Sequence, residues 1–137
     1  MVDTLQRVSR LLIVDDQRMF RQGLRALLAE TPDIAVVGEA ADGEQALAKA
    51  RELRPDVILM DAQLPGCDGL TATRSIKREL PETRVIILTA HGAEADLIYR
   101  AVKAGATGYV SKLNDFAEVL ATVRMVAGGQ ACLANHG

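Results

Sequence analysis

The sequence predicts an α/β fold, a doubly wound sheet of five parallel strands alternating with five helices. Three observations carry this. Four continuous apolar runs and a weaker fifth are spread along the chain. Between them lie longer stretches whose apolar residues recur at helical spacing. Proline or glycine stands where most of those stretches should stop. Strand and helix in strict alternation is the pattern of a parallel sheet covered on both faces.

The runs, in order, are Leu11-Leu12-Ile13-Val14, Ile34-Ala35-Val36-Val37, Val57-Ile58-Leu59-Met60 and Val85-Ile86-Ile87-Leu88, with Gly108-Tyr109-Val110 the weaker fifth. They are continuous rather than alternating, as strands buried on both faces require. Phe20, Leu24, Leu27 and Leu28 mark the first helical stripe, and Ala46, Ala50 and Leu53 the second. Leu70, Thr73, Ile76, Lys77 and Leu80 outline a third helix, and Leu97, Ile98, Ala101 and Val102 a fourth. Phe116, Val119, Leu120, Val123 and Val126 outline the fifth. Thr31-Pro32-Asp33, Pro55 and Pro81 end the first three helices. Gly105 follows the fourth and Gly128-Gly129 the fifth, where a left-handed cap is wanted. Asn114 is the expected cap at the start of the last helix. The expected division is an N-terminal tail over 1–8, one domain over 9–127, and an irregular tail or start of a linker over 128–137.

Composition narrows the function. A chain of 137 residues, 49% hydrophobic and 25% charged, fits one globular domain. Its formal net charge of −2 supplies no basic field for nucleic acid, so no direct nucleic-acid binding is expected. Cys67 and Cys132 lie far apart and form neither a C-x-x-C pair nor a zinc set. No apolar stretch is long enough to cross a membrane, and Met1 to Arg7 lack the apolar core of a signal peptide. A cytoplasmic location is the default expectation.

The polar residues at the strand ends are the informative ones. Strand one ends in Asp15-Asp16, strand three in Asp61, strand four in Thr89 and strand five in Ser111-Lys112. In a parallel sheet these ends share one edge, where ligand chemistry sits in such folds. Three carboxylates there repel one another. A divalent cation of the magnesium kind, with oxygen ligands, offsets that repulsion. A lysine adds a second positive charge and can pair with a phosphoryl oxygen, and a threonine hydroxyl can donate one more hydrogen bond. Phosphoryl transfer needs this equipment around a nucleophile, and an aspartate can be that nucleophile. Other chemistries lack their parts. There is no G-x-G-x-x-G after strand one, no phosphate-cradling G-x-x-x-x-G-K-[ST] loop and no G-x-S-x-G elbow.

These segments together resemble the receiver domain of bacterial two-component response regulators. The matching pieces are Leu12 to Asp16, Asp56 to Asp61 with Leu64 to Leu70, Val85 to Ala90, and Ala104 to Lys112. Asp15 to Leu24 and the Ala-Gly-Ala-x-Gly-Tyr run look most like the NarL/FixJ subfamily, whose full-length members carry a LuxR-type helix-turn-helix. The resemblance implies a flavodoxin-like (CheY-like) fold, with Asp61 as the phosphoacceptor. It implies magnesium held directly by Asp16 and Asp61, by the Gln63 main-chain carbonyl, and by Asp15 mainly through a water. Lys112 would contact the phosphoryl group and Thr89 would hydrogen-bond to it. Tyr109 matches the switch aromatic that packs inward once the threonine has moved. A sensor histidine kinase is the implied donor, and the output, through a DNA-binding part not found in this sequence, is transcription. Leu113 replaces a common proline and Leu64 a common methionine, while Gln63 and His91 occupy variable positions that would flank the phosphoryl group.

Plainer readings stand beside these. Asp15-Asp16 can serve as a helix N-terminal cap, Asp61 as a turn residue, Thr89 as an ordinary strand end and Lys112 as a solvated lysine. Their joint placement favours function. Ala117, Ala121 and Met125 form a stripe that reads equally as incidental or as a subunit contact, so a homodimer stays open. Two rival functions are a metal-dependent phosphatase or phosphotransferase and a phosphorylation-independent interaction domain. An aspartyl phosphatase would favour D-x-D after strand one, whereas here the pair is adjacent. A pure interaction domain has no need of the full acidic set with Thr89 and Lys112.

Overall fold

Each apolar run becomes a strand. The computed structural model describes residues 7–90 and 94–133. Its elements are β1 (Ser9–Val14), α1 (Arg18–Leu28), β2 (Ile34–Ala40), α2 (Gly43–Leu53), β3 (Val57–Asp61), α3 (Gly69–Glu79), β4 (Arg84–Thr89), α4 (Ala95–Ala104), β5 (Gly108–Ser111) and α5 (Phe116–Ala127). The strands form one sheet in the order β2-β1-β3-β4-β5, and every neighbouring pair is parallel. The doubly wound five-stranded fold expected from the sequence is therefore the one observed. β1, β3, β4 and β5 are buried along most of their length. β2, at the sheet edge, is only partly buried between Ile34 and Ala40 and departs from the expectation.

Period-two alternation sends successive side chains to opposite faces. Leu12, Val14, Ile58, Met60, Val85 and Ile87 meet Ala46 and Ala50 of α2, Ile76 of α3 and Ala101 of α4. Leu11, Ile13, Val57, Leu59, Ile86 and Leu88 meet Leu24 and Leu28 of α1 and Val119, Val123 and Val126 of α5. Burying each Leu, Ile or Val contributes on the order of 1.5–3 kcal/mol, so the central strands are anchored along their length. The strand order reverses between β1 and β3. A crevice opens at such a point beyond the carboxyl ends.

Several local details differ from expectation. β2 runs on to Ala40, because pairing with β1 continues past a register shift at Leu11/Leu12. Asn114 is not the cap of α5. Asp115 is, its side chain accepting from the Glu118 N–H, while Asn114 Oδ1 accepts from the Ser111 N–H and closes the turn after β5. At the end of α5 the left-handed residue is Gly129 (φ 95°), and Gly128 keeps φ −80°. Gly105 does adopt the left-handed cap after α4. The chain after α5, expected to be irregular, makes one bridge to the sheet edge. Cys132 pairs with Gly108, donating to the Thr107 carbonyl and accepting from the Tyr109 N–H. Cys67 and Cys132 are not joined to each other by a disulfide.

Candidate functional site

Backbone pairing delivers the polar residues to one edge. Asp15 follows β1, and its N–H bonds the Ala40 carbonyl at 3.0 Å. Asp61 is the last residue of β3, and the next N–H, of Ala62, bonds the Leu88 carbonyl at 2.9 Å. Thr89 ends β4, and its carbonyl accepts from the Lys112 N–H at 2.7 Å. Apolar strand interiors thus fix where the chain turns polar.

Asp15, Asp16 and Asp61 each place a carboxylate oxygen within 4.8 Å of the others. Asp15 and Asp61 are buried, and Asp16 is exposed at the mouth. The Lys112 ammonium lies 2.5 Å from Asp15 Oδ2 and 3.4 Å from Asp61 Oδ2. The remaining oxygens have backbone donors. The Gln17 N–H bonds Asp15 Oδ1 at 2.8 Å, and the Gln63 N–H bonds Asp61 Oδ1 at 3.0 Å. Gln63 itself is exposed.

Burial is the largest influence on Asp61, and the nearby Asp15 charge adds to it. The Gln63 N–H and Lys112 oppose both, but the Asp61 carboxyl stays above its ordinary pKa. Burial works against the Lys112 ammonium, yet its bond to Asp15 and the charge of Asp61 outweigh that and hold its pKa above the usual lysine value. Three carboxylates against one ammonium leave an excess of two negative charges. This oxygen-rich donor set suits a hard divalent cation.

Thr89 and Tyr109 are each only 4% exposed. The Thr89 hydroxyl lies 3.5 Å from the Tyr109 hydroxyl, so the aromatic ring is packed inward against the end of β4. His91 and His136 fall outside the described residues.

A family model for the response regulator receiver domain matches residues 11–124. The chain belongs to the response regulator receiver family. This receiver is 43% identical over 121 residues to the transcriptional regulatory protein LiaR of Bacillus subtilis, covering 88% of the chain and 57% of LiaR. It is 40% identical over 122 residues to the response regulator protein VraR of Staphylococcus aureus, covering 89% of the chain and 58% of VraR. The chain therefore spans less than two thirds of either relative. Among solved structures it superposes on a LuxR-family response regulator from Aurantimonas sp. SI85-9A1 with a TM-score of 0.87, at 38% identity, covering 91% of this chain and 89% of that one. The response regulator domain of Thermotoga maritima CheB gives a TM-score of 0.77 at 33% identity, with 89% and 98% covered. The receiver is a signalling domain of two-component systems, related to LuxR-family transcriptional regulators. None of its described helices is long and apolar enough to cross a membrane.

The structure brings Asp15, Asp16, Asp61 and Lys112 together and sets Thr89 and Tyr109 side by side. Three contributors carried no role in the sequence reading. Arg21 donates to the Asp15 carbonyl at 2.5 Å and pairs with Glu39 at 2.9 Å, pinning the turn after β1 to β2. Gln17 and Phe20 both touch Lys112. All three lie in the Asp15 to Leu24 segment, where Phe20 is otherwise marked only as the start of an apolar stripe.

Proposed function

We propose that this receiver takes a phosphoryl group onto Asp61 from a sensor histidine kinase and switches conformation in response. The observation that carries the reading is the Asp15-Asp16-Asp61 cluster with the Lys112 ammonium lodged between Asp15 and Asp61. An Asp61 carboxylate oxygen attacks phosphorus, the bond to the donor breaks, and the donor leaves with the electron pair. Lys112 supports the charge on the transferred oxygens, and the Thr89 hydroxyl donates to one of them. Asp16, Asp61 and the Gln63 main-chain carbonyl would hold magnesium, with Asp15 acting through a water. When bound, the ion neutralises charge on the phosphoryl oxygens.

Thr89 and Tyr109 form the switch. A Thr89 hydroxyl drawn toward a phosphoryl group leaves its place beside the Tyr109 hydroxyl, and the packing of β5 with α4 and α5 shifts with it. The receiver unit spans residues 9–127. It catalyses its own modification and hydrolysis rather than metabolic turnover. Its setting is the cytoplasm, and its output is control of transcription through a DNA-binding partner domain. The exposed stripe of Ala117, Ala121 and Met125 on α5 is the candidate contact for a second copy.

The test is intact mass after incubation with acetyl phosphate, with and without magnesium, for the parent and Asp61→Ala. A magnesium-dependent gain of one phosphoryl group, labile to base and absent from the variant, is the expected result. No gain in the parent, or the same gain in Asp61→Ala, overturns the reading.

A further inference from the structure

Lys112 has two neighbours that the chemistry above does not use. Its ammonium donates to Gln17 Oε1 at 3.2 Å, and it lies 4.8 Å from the centroid of the Phe20 ring. Both residues stand at the start of α1, more than ninety positions before the lysine.

The local structure leaves these side chains available for that task. Gln17 is the N-cap residue of α1, yet its side chain makes no capping hydrogen bond. Its amide oxygen turns to Lys112 instead, while its backbone N–H holds Asp15 Oδ1. One residue therefore touches both members of the Asp15–Lys112 ion pair. Phe20 is half-buried and anchored against the core face that α1 and α5 share. Its ring position is set by packing, independently of the acidic residues.

An ammonium has three N–H donors. Here they face Asp15, Asp61 and Gln17, and the aromatic ring forms a further wall within cation–π range. The two carboxylates change their surroundings when a phosphoryl group arrives on Asp61. The side chains of Gln17 and Phe20 carry no charge. A neutral amide oxygen restrains the ammonium without adding a fourth anion to the cluster. The ring attracts the cation yet offers no lone pair to compete with phosphoryl oxygens. A four-carbon stem would otherwise leave the charge several rotamers to sample.

We propose that Gln17 and Phe20 are positioning residues for Lys112, holding its ammonium over Asp61 so that it meets the incoming phosphoryl group already in place. The proposal rests on the reading of Asp61 as phosphoacceptor. In the step concerned, an Asp61 oxygen bonds to phosphorus as the phosphorus–oxygen bond to acetate breaks, and acetate leaves with the electron pair. The Gln17 N–H also holds Asp15 Oδ1, a backbone contact that side-chain substitution leaves in place, so the two side chains act through Lys112.

The experiment measures the rate of phosphoryl gain from acetyl phosphate with magnesium. The chains are the parent, Gln17→Ala, Phe20→Leu, Phe20→Tyr and Lys112→Ala, together with the doubles that carry Lys112→Ala. Gln17→Ala and Phe20→Leu are expected to slow the gain about threefold to tenfold each, the scale of one solvent-exposed hydrogen bond or one cation–π contact. Phe20→Tyr keeps the ring face and should match the parent. In the Lys112→Ala background neither change should slow the reaction further, because the group they position is gone. A second readout is the ammonium proton signal of Lys112 in nitrogen-15-labelled protein, which should broaden in Gln17→Ala and Phe20→Leu and persist in Phe20→Tyr. Parent-like rates, equal slowing in both lysine backgrounds, or an ammonium signal unchanged by either substitution overturns the proposal alone. A parent chain that gains no phosphoryl group overturns it together with the reading it rests on.

Discussion

Gly69 and the Asp61 carbonyl are packed so closely that a Cβ on Gly69 would lie 1.9 Å from the Asp61 oxygen. The Gly69 N–H bonds the neighbouring Ala62 carbonyl at 2.9 Å, so the loop that leaves β3 returns to its own start. The Asp68 side chain then accepts from the Thr71 N–H and starts α3. The missing side chain thus lets the acidic strand end and the next helix share one small space. Gly69→Ala should lower stability by at least about 2 kcal/mol, since backbone rather than a flexible side chain stands in the way. Gly23→Ala is the control, because a Cβ there meets nothing within 4 Å, and it should stabilise α1 by roughly 0.5–1 kcal/mol. Urea midpoints measure both, and equal effects would refute the close-packing argument.

Magnesium should raise thermal stability through the acidic cluster. At free magnesium ten times its Kd, binding to the folded state alone adds about 1.4 kcal/mol, a few degrees in Tm. Asp16 is exposed, so Asp16→Asn should fold normally yet lose most of that rise. Thermal melts at matched ionic strength, with magnesium or with sodium, decide it. A variant that keeps the full shift would place the ion elsewhere.

Glu39 links pH to the turn that carries Asp15. Burial pushes its carboxyl up, but hydrogen bonds from Arg21 and Arg25 outweigh this and hold its pKa below the ordinary 4.5. The charged form is therefore favoured by folding. Its contribution is complete above the ordinary value and is lost as pH falls through the depressed one. The carboxylate is 26% exposed, so solvent limits the effect to about 0.5–1 kcal/mol at pH 7. Glu39→Gln should cost that amount at neutrality, and the gap to the parent should close as the solution is acidified below pH 4.5. A gap independent of pH, in denaturation curves at several pH values, would show that packing rather than charge is at stake.

Asp115 and Asn114 have separable duties. Asp115→Ala should cost about 1 kcal/mol and speed hydrogen exchange at the Glu118 amide, which loses its side-chain acceptor and keeps only the 3.2 Å bond to the Asp115 carbonyl. Asn114→Ala should instead expose the Ser111 amide to exchange. The reverse pattern of exchange would return the capping role to Asn114.

The two thiols should report different events. Cys67 is partly exposed in the loop after β3, whereas Cys132 is buried beside β5. A thiol reagent should modify one cysteine per native chain quickly, and Cys67→Ser should abolish that fast phase. Cys132 should react only after local or global opening. Two equal fast phases would mean that the segment after α5 does not stay on the sheet edge.

Much of this was legible in the linear sequence because it is set by short-range patterns. Val57 to Met60 must be a buried strand, since four consecutive apolar residues have no polar face to offer water. A carboxylate directly after such a run, as at Asp61, must emerge at the strand's end. The alternation of runs and stripes then brings Asp15, Asp61, Thr89 and Lys112 to one edge, because parallel strands start and finish together.

Other features depend on how the chain closes in three dimensions. Nothing local distinguishes Asn114 from Asp115 as a cap. The choice follows from the Ser111 N–H, which is left facing the turn once β5 has paired with β4. The adjacency of Gly69 to the Asp61 carbonyl, and the return of Cys132 to Gly108, each need a backbone approach that spacing alone does not imply. Gln17 and Phe20 reach Lys112 only because α1 and β5 both come to the same edge of the sheet. Burial acts residue by residue and so leaves a periodic trace in the sequence. Contacts between distant segments arise from the packed backbone, and only the tertiary structure decides them.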